Sequence, residues 1–297
     1  MRSGFVALAG RPNAGKSTLI NALVGEKIAI VSEKAQTTRS EIRGIYTSED
    51  CQIVFTDTPG IHKPKDRLGS RMNKESTDVI QGVDVIFLVV DGSVPYSTGD
   101  AFVLNTVKNA HLPVFLIMNK VDTMDKEEIL KNLNSWQERY EFAEYFPLSA
   151  KFDRTFDDLI ATTAKYLPEG GLLYPAEMIS DGAENFRIAE MIREKVLLCC
   201  EQEVPHATAV TIEEKEYTSK GCNIHATILV EKDGQKGILI GKGGTMLKRI
   251  GTMARKDIEK LLGVHVFLTL YVRKEEDWRS KDARISEYGY GGAFRNE

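Results

Sequence analysis

With 297 residues the chain is long enough for about two domains, each burying its own core. Its 39 basic and 43 acidic groups (formal net charge −4), with 42% apolar and 28% charged residues, make an ordinary soluble composition and exclude a disordered, collagen-like or disulfide-scaffold chain. The longest apolar run, Val85 to Val90, falls far below the roughly 20 residues that span a bilayer.

The residues Met1, Arg2 and Ser3 lead straight into a strand-like run without a signal peptide's apolar segment, so the chain is expected in the cytoplasm. Cys51, Cys199, Cys200 and Cys222 form no CxxC pair and are expected to be reduced, structural thiols.

In chain order, Phe5–Ala9, Gln52–Phe55, Val85–Val90 and Val114–Met118 predict buried strands, with a short strand at Tyr145–Leu148. Leu19–Val24, Leu68–Ile80, Phe102–Asn109, Glu127–Phe142 and Phe156–Tyr166 predict the helices between them. This is the alternation of an α/β domain with a mainly parallel sheet and helices on both faces, expected over residues 1–167. Pro168, Gly170, Gly171, Pro175 and Gly182 then break up any long element, predicting a linker over 168–185. An α+β unit is expected over 186–297: a helix at Phe186–Glu201, strands at Ala207–Glu216 and Ile224–Val230, a Gly-rich stretch, a helix at Thr245–Leu262 and a strand at Val264–Val272. Charge is uneven within it: residues 181–235 carry 6 basic and 11 acidic groups, residues 236–260 carry 7 basic and 2 acidic. The overall charge hides a basic face. The tail from Trp278 to Glu297 fits either packing on this unit or fraying.

Gly10-Arg11-Pro12-Asn13-Ala14-Gly15-Lys16-Ser17, followed by Thr18, matches GxxxxGKS/T between a predicted strand and a predicted helix, the setting that makes the motif a phosphate cradle. Its backbone N–H groups and the helix N-terminus suit phosphate, Lys16 would reach the β- and γ-phosphates and Ser17 would ligate Mg²⁺. Asp57-Thr58-Pro59-Gly60 follows a strand, so Asp57 can hold Mg²⁺ through water and the Gly60 amide can face a γ-phosphate. Asn119-Lys120-Val121-Asp122 offers a carboxylate that accepts from both N1–H and the 2-amino group of guanine; adenine has neither donor there. Ser149-Ala150-Lys151 places the Ala150 amide for guanine O6, although Ser149 also reads as an ordinary helix N-cap.

These four signals, each at a strand end, resemble the translation-factor-related class of P-loop GTPases. The resemblance implies GTP and GDP binding, slow hydrolysis, and two γ-phosphate-responsive loops at Ile30–Arg43 and Asp57–Leu68. Thr38 looks like the threonine that joins Mg²⁺, with Thr37 a rival. Ile61 stands where better-known signalling GTPases carry a water-orienting glutamine, and it has no group to bond water. Asn13 resembles an asparagine that helps bind K⁺ beside the phosphates in some relatives; a turn former is the other reading. Arg39 and Arg43 read as loop residues rather than as an arginine finger in cis.

In the second unit, Ile240-Gly241-Lys242-Gly243-Gly244 contains GxxG in an element order similar to that of type II KH domains, where glycines let a nucleic-acid backbone approach. Ile238, Ile240, Leu247 and Ile250 are expected to floor a groove for bases, or else to be core. Lys248, Arg249, Arg255 and Lys256 are expected to meet phosphate and give salt-dependent affinity without reading sequence.

With Gln36-Thr37-Thr38-Arg39, Asp57 to Pro64, Ile192-Arg193-Glu194-Lys195, Glu203-Val204-Pro205 and Ile250-Gly251 added, the whole chain resembles the Era family of bacterial ribosome-assembly GTPases. The resemblance implies a monomer that binds the single-stranded 3′ end of 16S rRNA and aids maturation of the 30S subunit, with peripheral membrane contact at the cell membrane's inner face. A GTPase whose carboxyl domain binds a protein or assists RNA modification is the alternative.

Overall fold

A computed structural model describes residues 1–34, 36–64 and 66–290 and folds as two compact units that divide between Asp181 and Gly182. In chain order the first unit runs β1 (Arg2–Ala9), α1 (Lys16–Val24), β2 (Ile42–Thr47), β3 (Cys51–Asp57), α2 (Arg67–Gln81), β4 (Val85–Asp91), α3 (Thr98–Lys108), β5 (Val114–Asn119), α4 (Lys126–Gln137), β6 (Glu144–Pro147) and α5 (Asp157–Tyr166). The sheet order is β2-β3-β1-β4-β5-β6, with every neighbouring pair parallel except β2 against β3. Strands β3, β4 and β5 are buried almost throughout, which is why they read as unbroken apolar runs: helices cover both faces. The chain crosses from β3 on one side of β1 to β4 on the other, a topological switch point, and such sheets bind ligands beyond the carboxyl ends of their strands there.

Three details differ from the sequence expectation. Strand β2 takes the end of the loop expected over Ile30–Arg43; Arg43 and Gly44 interrupt its apolar pattern, and in the folded sheet, paired with β3, Ile42 and Ile45 are buried. Helix α3 begins at Thr98, four residues early, where Ser97 and Asp100 form a capping box. Helix α4 stops at Gln137 instead of running to Phe142. Trp136 and Phe142 both enter one core and their rings meet at 6.3 Å; on a continuous helix, residues six apart would point about 240° apart.

The stretch read as a linker packs on the first unit up to Asp181. Gln52 accepts from the amides of Leu173 and Tyr174 and donates to the Tyr174 carbonyl, and the Ile45 amide donates to the Ile179 carbonyl.

The second unit consists of α6 (Glu184–Cys199), β7 (Ala209–Thr218), β8 (Gly221–Val230), α7 (Asp233–Ile240), α8 (Thr245–Leu262), β9 (Val266–Lys274) and α9 (Asp282–Glu287). Its sheet is ordered β7-β8-β9, antiparallel then parallel. The even-numbered residues of β8 and β9 join Ile188, Ile192, Val196, Ile250, Ala254 and Ile258 of α6 and α8 in one core. Ile250 is therefore core rather than groove floor. Buried charges on α6 are paired: Arg193 with Glu190 at 2.6 Å, and Lys195 with both Glu194 and Asp257 at 2.5 Å, the last link tying α6 to α8. Of the tail, Trp278 is wholly buried and donates from Nε1 to the Ala207 carbonyl at 2.9 Å, with the Tyr288 and Tyr290 rings beside it. Residues 291–297 of that expected tail, with Ala35 and Lys65 of the two expected loops, lie outside the described residues.

Candidate nucleotide and nucleic-acid sites

The loops after β1, β3, β5 and β6 carry the four sequence signals, and parallel pairing brings them to one edge of the sheet. Between β1 and α1 the phosphate loop turns through left-handed conformations at Asn13 (φ 66°) and Gly15 (φ 98°). Lys16 is buried, and its Nζ donates to the carbonyls of Gly10 and Arg11 at 3.3 and 3.2 Å. Arg11 itself turns to α3, bonding Ser97 at 2.9 Å and Asp100 at 3.0 Å, so it serves the loop through its backbone.

Three oxygens converge beside Lys16. Ser17 Oγ donates to Asp57 Oδ2 at 2.6 Å, Thr38 Oγ1 lies 3.1 Å from the same oxygen, and the two hydroxyls are 2.8 Å apart. Thr37 instead donates to the Lys34 carbonyl at 2.6 Å, so Thr38 is the threonine that meets Ser17 and Asp57. Asp57 is fully buried and its Oδ1 has no hydrogen-bond partner among the described residues. Burial pushes its carboxyl above the usual carboxylate range, against the opposing pull of Lys16 and the hydroxyls of Ser17 and Thr38. Burial likewise lowers the Lys16 pKa, with Asp57 pulling the other way. An all-oxygen cluster with an orphaned carboxylate oxygen matches a hard divalent cation: octahedral Mg²⁺, with ligands at about 2.0–2.1 Å, spaces adjacent oxygens by about 2.9 Å.

Gly60 packs against the phosphate loop so closely that a Cβ there would come within 2.6 Å of the Pro12 nitrogen, which fixes the residue as glycine. Thr58 donates to the Leu8 carbonyl at 2.8 Å, and the Ile61 amide donates to the Gly10 carbonyl at 3.1 Å. The Ile61 side chain is buried in the core. His62 joins the two expected loops: one ring nitrogen is 2.7 Å from the Gly60 carbonyl and the other 2.9 Å from Gln36 Nε2. Asn13 Nδ2 donates to the Glu33 carbonyl at 2.6 Å, a second link from the first loop to the phosphate loop. Arg39 is buried, and Arg43 binds Tyr174, Asp181 and Glu41 at 3.3 Å each, so the structure uses both within the fold.

Asn119 is the hub of the base side. Its Nδ2 donates to the Ala14 carbonyl at 2.9 Å while its Oδ1 accepts from Lys120 N at 2.8 Å and Ala150 N at 2.9 Å, locking the phosphate loop to both base-recognition loops. Ser149 Oγ donates to Asp122 Oδ1 at 2.5 Å and so orients that carboxylate; Ser149 caps no helix, because α5 begins at Asp157. Lys120 Nζ pairs with Asp91 at 2.5 Å, and Lys151 Nζ sits 5.0 Å from the Phe152 ring. Sequence reasoning placed His62 in the second loop without giving it a role, and missed Asn21 and Asp91. Asn21, on α1, holds the start of the first loop by accepting from Ile28 N and Ala29 N at 2.9 Å. Asp91 had a legible signal: it ends the strand paired with β5, in register with Asn119.

In the second unit, α7 ends at Gly241 and the chain turns through Gly241, Gly243 and Gly244, all at positive φ, into α8. Open space surrounds Gly243, so its φ of 61°, rather than crowding, favours glycine, and Lys242 is exposed beside it. Next to the turn lies a groove of about 390 Å³ lined by Gly244, Leu247, Lys248, Gly251, Arg255 and the β9 residues Leu268–Leu270. Lys248 and Arg255, seven residues apart, share that face of α8; Arg249 and Lys256 follow about 100° further round and stand outside the lining. Ile240 is half-buried beside Gly241, and Ile238 is exposed.

Residues 5–120 match a family described as 50S ribosome-binding GTPase, and residues 203–279 match the KH domain family. The GTPase Era of Clostridium kluyveri is 45% identical over 291 residues, covering 98% of this chain and 99% of its own. Two solved structures at 36% identity each cover 98% of this chain and 99% of theirs. They are a single-residue variant of Aquifex aeolicus Era bound to GDP.AlF4-, with a TM-score of 0.94, and Era in complex with MgGDPNP and nucleotides 1506–1542 of 16S ribosomal RNA, at 0.95.

Proposed function

The chain belongs to the Era family of GTPases, and from that premise we propose that it is a GTP-hydrolysing switch that grips the single-stranded 3′ end of 16S rRNA and assists maturation of the 30S subunit. The observation that carries this reading is the coexistence of two built sites: the convergence of Ser17, Thr38 and Asp57 beside Lys16, and a glycine turn beside a groove rimmed by Lys248 and Arg255. A relative of the same length binds both a GTP analogue with Mg²⁺ and that RNA.

In this reading Ser17, Thr38 and Asp57 hold Mg²⁺, which when bound neutralises the charge that develops on the β- and γ-phosphates. Lys16 exchanges its bonds to the Gly10 and Arg11 carbonyls for phosphate oxygens. The Gly60 amide faces the γ-phosphate, and because His62 and Gln36 tie the loops of Gly60 and Thr38 together, loss of that phosphate loosens both. Asp122 selects guanine, and the Ala150 amide, which donates to Asn119 Oδ1 at 2.9 Å, reaches guanine O6 only by sharing that bond. The GTPase unit, with 168–181 packed on it, passes at Gly182 into the RNA-binding unit, and nucleotide state sets RNA affinity by its differential binding to two states. The protein works among the ribosomal subunits of the cytoplasm; a monomeric state and a peripheral membrane contact are carried over from the family resemblance alone.

With Ile61 buried in the core, a water-orienting group or extra charge must come from elsewhere. Asn13 bonds the first loop through its Nδ2, and its carbonyl oxygen is suited to hold K⁺ beside the phosphates. Replacing K⁺ with Na⁺ is expected to slow turnover while GTP affinity stays the same; equal rates in the two salts would remove the ion from the mechanism.

The RNA reading is tested by filter binding to a single-stranded fragment of the 16S 3′ end. Gly243→Asp meets no atom within 4 Å of its Cβ, so the strain of a side chain at φ 61° stays within the turn and leaves the core untouched. Its carboxylate, set where a phosphate backbone approaches, is expected to lower affinity by about 100-fold or more. Unchanged binding would favour a carboxyl domain that takes a protein instead.

A further inference from the structure

The groove beside α8 has one wall made of β9, the edge strand of the sheet, with Leu268, Thr269 and Leu270 lining it. Successive residues of a strand point to opposite faces. The even-numbered residues of β9 pack on the core, so Phe267, Thr269, Tyr271 and Arg273 belong to the other face of the sheet. That face is open here: Phe267 is 46% and Tyr271 54% exposed, large rings left in water on the sheet face that Thr269, between them, shares with the groove wall. Each has a histidine beside it. The His265 ring meets Phe267 edge-on at 4.7 Å and the His225 ring meets Tyr271 at 6.4 Å, and both histidines are themselves about half exposed, at 51% and 43%. Glu259 accepts from His265 Nδ1 at 2.8 Å, which steadies the first pair.

The geometry points to a second segment of the RNA site: bases that leave the groove across the β9 edge stack on Phe267 and Tyr271. The two rings stand about 13 Å apart along the strand, and every nucleobase offers a face to an aromatic ring whatever its sequence. Charge favours RNA as the occupant. Lys248 and Arg255 rim the groove on one side of β9 and Arg273 lies on the outer face with the rings, while Glu214, 3.7 Å from His225, and Glu216 on β7 bound the track on its far side. A KH turn clamps about four nucleotides, so these rings act only on RNA longer than that.

This inference rests on the RNA-binding reading above, and the test separates the two. The affinities of a tetranucleotide and a decanucleotide from the 16S 3′ end are measured on the full chain and on the Phe267→Ala, Tyr271→Ala double variant. The variant is expected to bind the tetranucleotide as the parent does and to lose about fivefold or more per ring on the decanucleotide. A Tyr271→Phe variant, which keeps the stacking face, is expected to bind the decanucleotide as the parent does. Undiminished decanucleotide binding by the double variant would overturn the track and leave the groove standing, as would an equal loss for both lengths, which means damage to the groove. If the parent binds neither RNA, the functional reading itself falls and the track with it.

Discussion

Asp122→Asn is expected to abolish the preference for GTP and to confer one for XTP. One oxygen of Asp122 is held at 2.5 Å by Ser149 Oγ, which fixes the plane of the carboxylate and leaves it to accept from guanine's two neighbouring N–H groups. An amide in the same place sets a donor against a donor, and xanthine, which carries a carbonyl in place of the 2-amino group, restores the pairing. Sites that match a substrate N–H reject an analogue lacking it by about 10⁴-fold, so GTP affinity is expected to fall on that scale, while XTP gains. Competition of GTP, XTP and ATP for the purified variant checks this. GTP preference retained by the variant would mean that another residue reads the base. The Asn119 bonds to Ala14, Lys120 and Ala150 do not depend on the substitution, so the loops stay in place and the effect is one of recognition.

Lys16→Ala is expected to lower the hydrolysis rate by about 10²–10³-fold, the usual loss when a preorganised charge at developing phosphate negative charge is removed. The variant separates catalysis from folding. Burial holds the Lys16 pKa below its ordinary value, so the ammonium form is disfavoured in the folded state, and that penalty lessens only as pH rises through the lowered pKa. Removing the side chain removes that penalty but also takes the positive partner from buried Asp57, so the two effects oppose each other. At neutral pH the variant is therefore expected to stay folded while its activity falls far more than its folded fraction; activity lost only in proportion to the folded fraction would assign Lys16 a structural part instead.

How much of this was legible in the sequence follows from the range of the interactions involved. Phe5–Ala9, Val85–Val90 and Val114–Met118 announce themselves as doubly covered strands because both faces are buried, and the phosphate-loop and Asn119–Asp122 residues carry chemistry that few other patterns serve. Strand β2 did not announce itself, because an edge strand buried on one side needs its neighbour before its pattern has meaning. The end of α4 at Gln137 was hidden for a like reason: the apolar spacing of 127–142 continues, and the core shared by Trp136 and Phe142 decides where the helix stops. Composition does not separate the adjacent Thr37 and Thr38; the family resemblance favours Thr38 with Thr37 as a rival, and the fold turns one hydroxyl to Lys34 and the other to Ser17 and Asp57. The role of His62 was missed because its partners are a backbone carbonyl and Gln36, 26 positions away, neither of which leaves a mark in composition or period. In the second unit GxxG was plain, whereas Ile250 reads equally as groove or core until the sheet is laid against α8.

The central claim is that a guanine nucleotide in the first unit governs a grip on unpaired RNA in the second. Its most direct test is an equilibrium titration of the 16S 3′-end fragment against the full chain saturated with a non-hydrolysable GTP analogue, with GDP, or in the presence of the matching ATP analogue. The affinities with GTP analogue and GDP are expected to differ by about fivefold or more, the lower bound of a working allosteric coupling, and the ATP analogue is expected to leave the nucleotide-free value unchanged. One RNA affinity common to all three conditions would contradict the account.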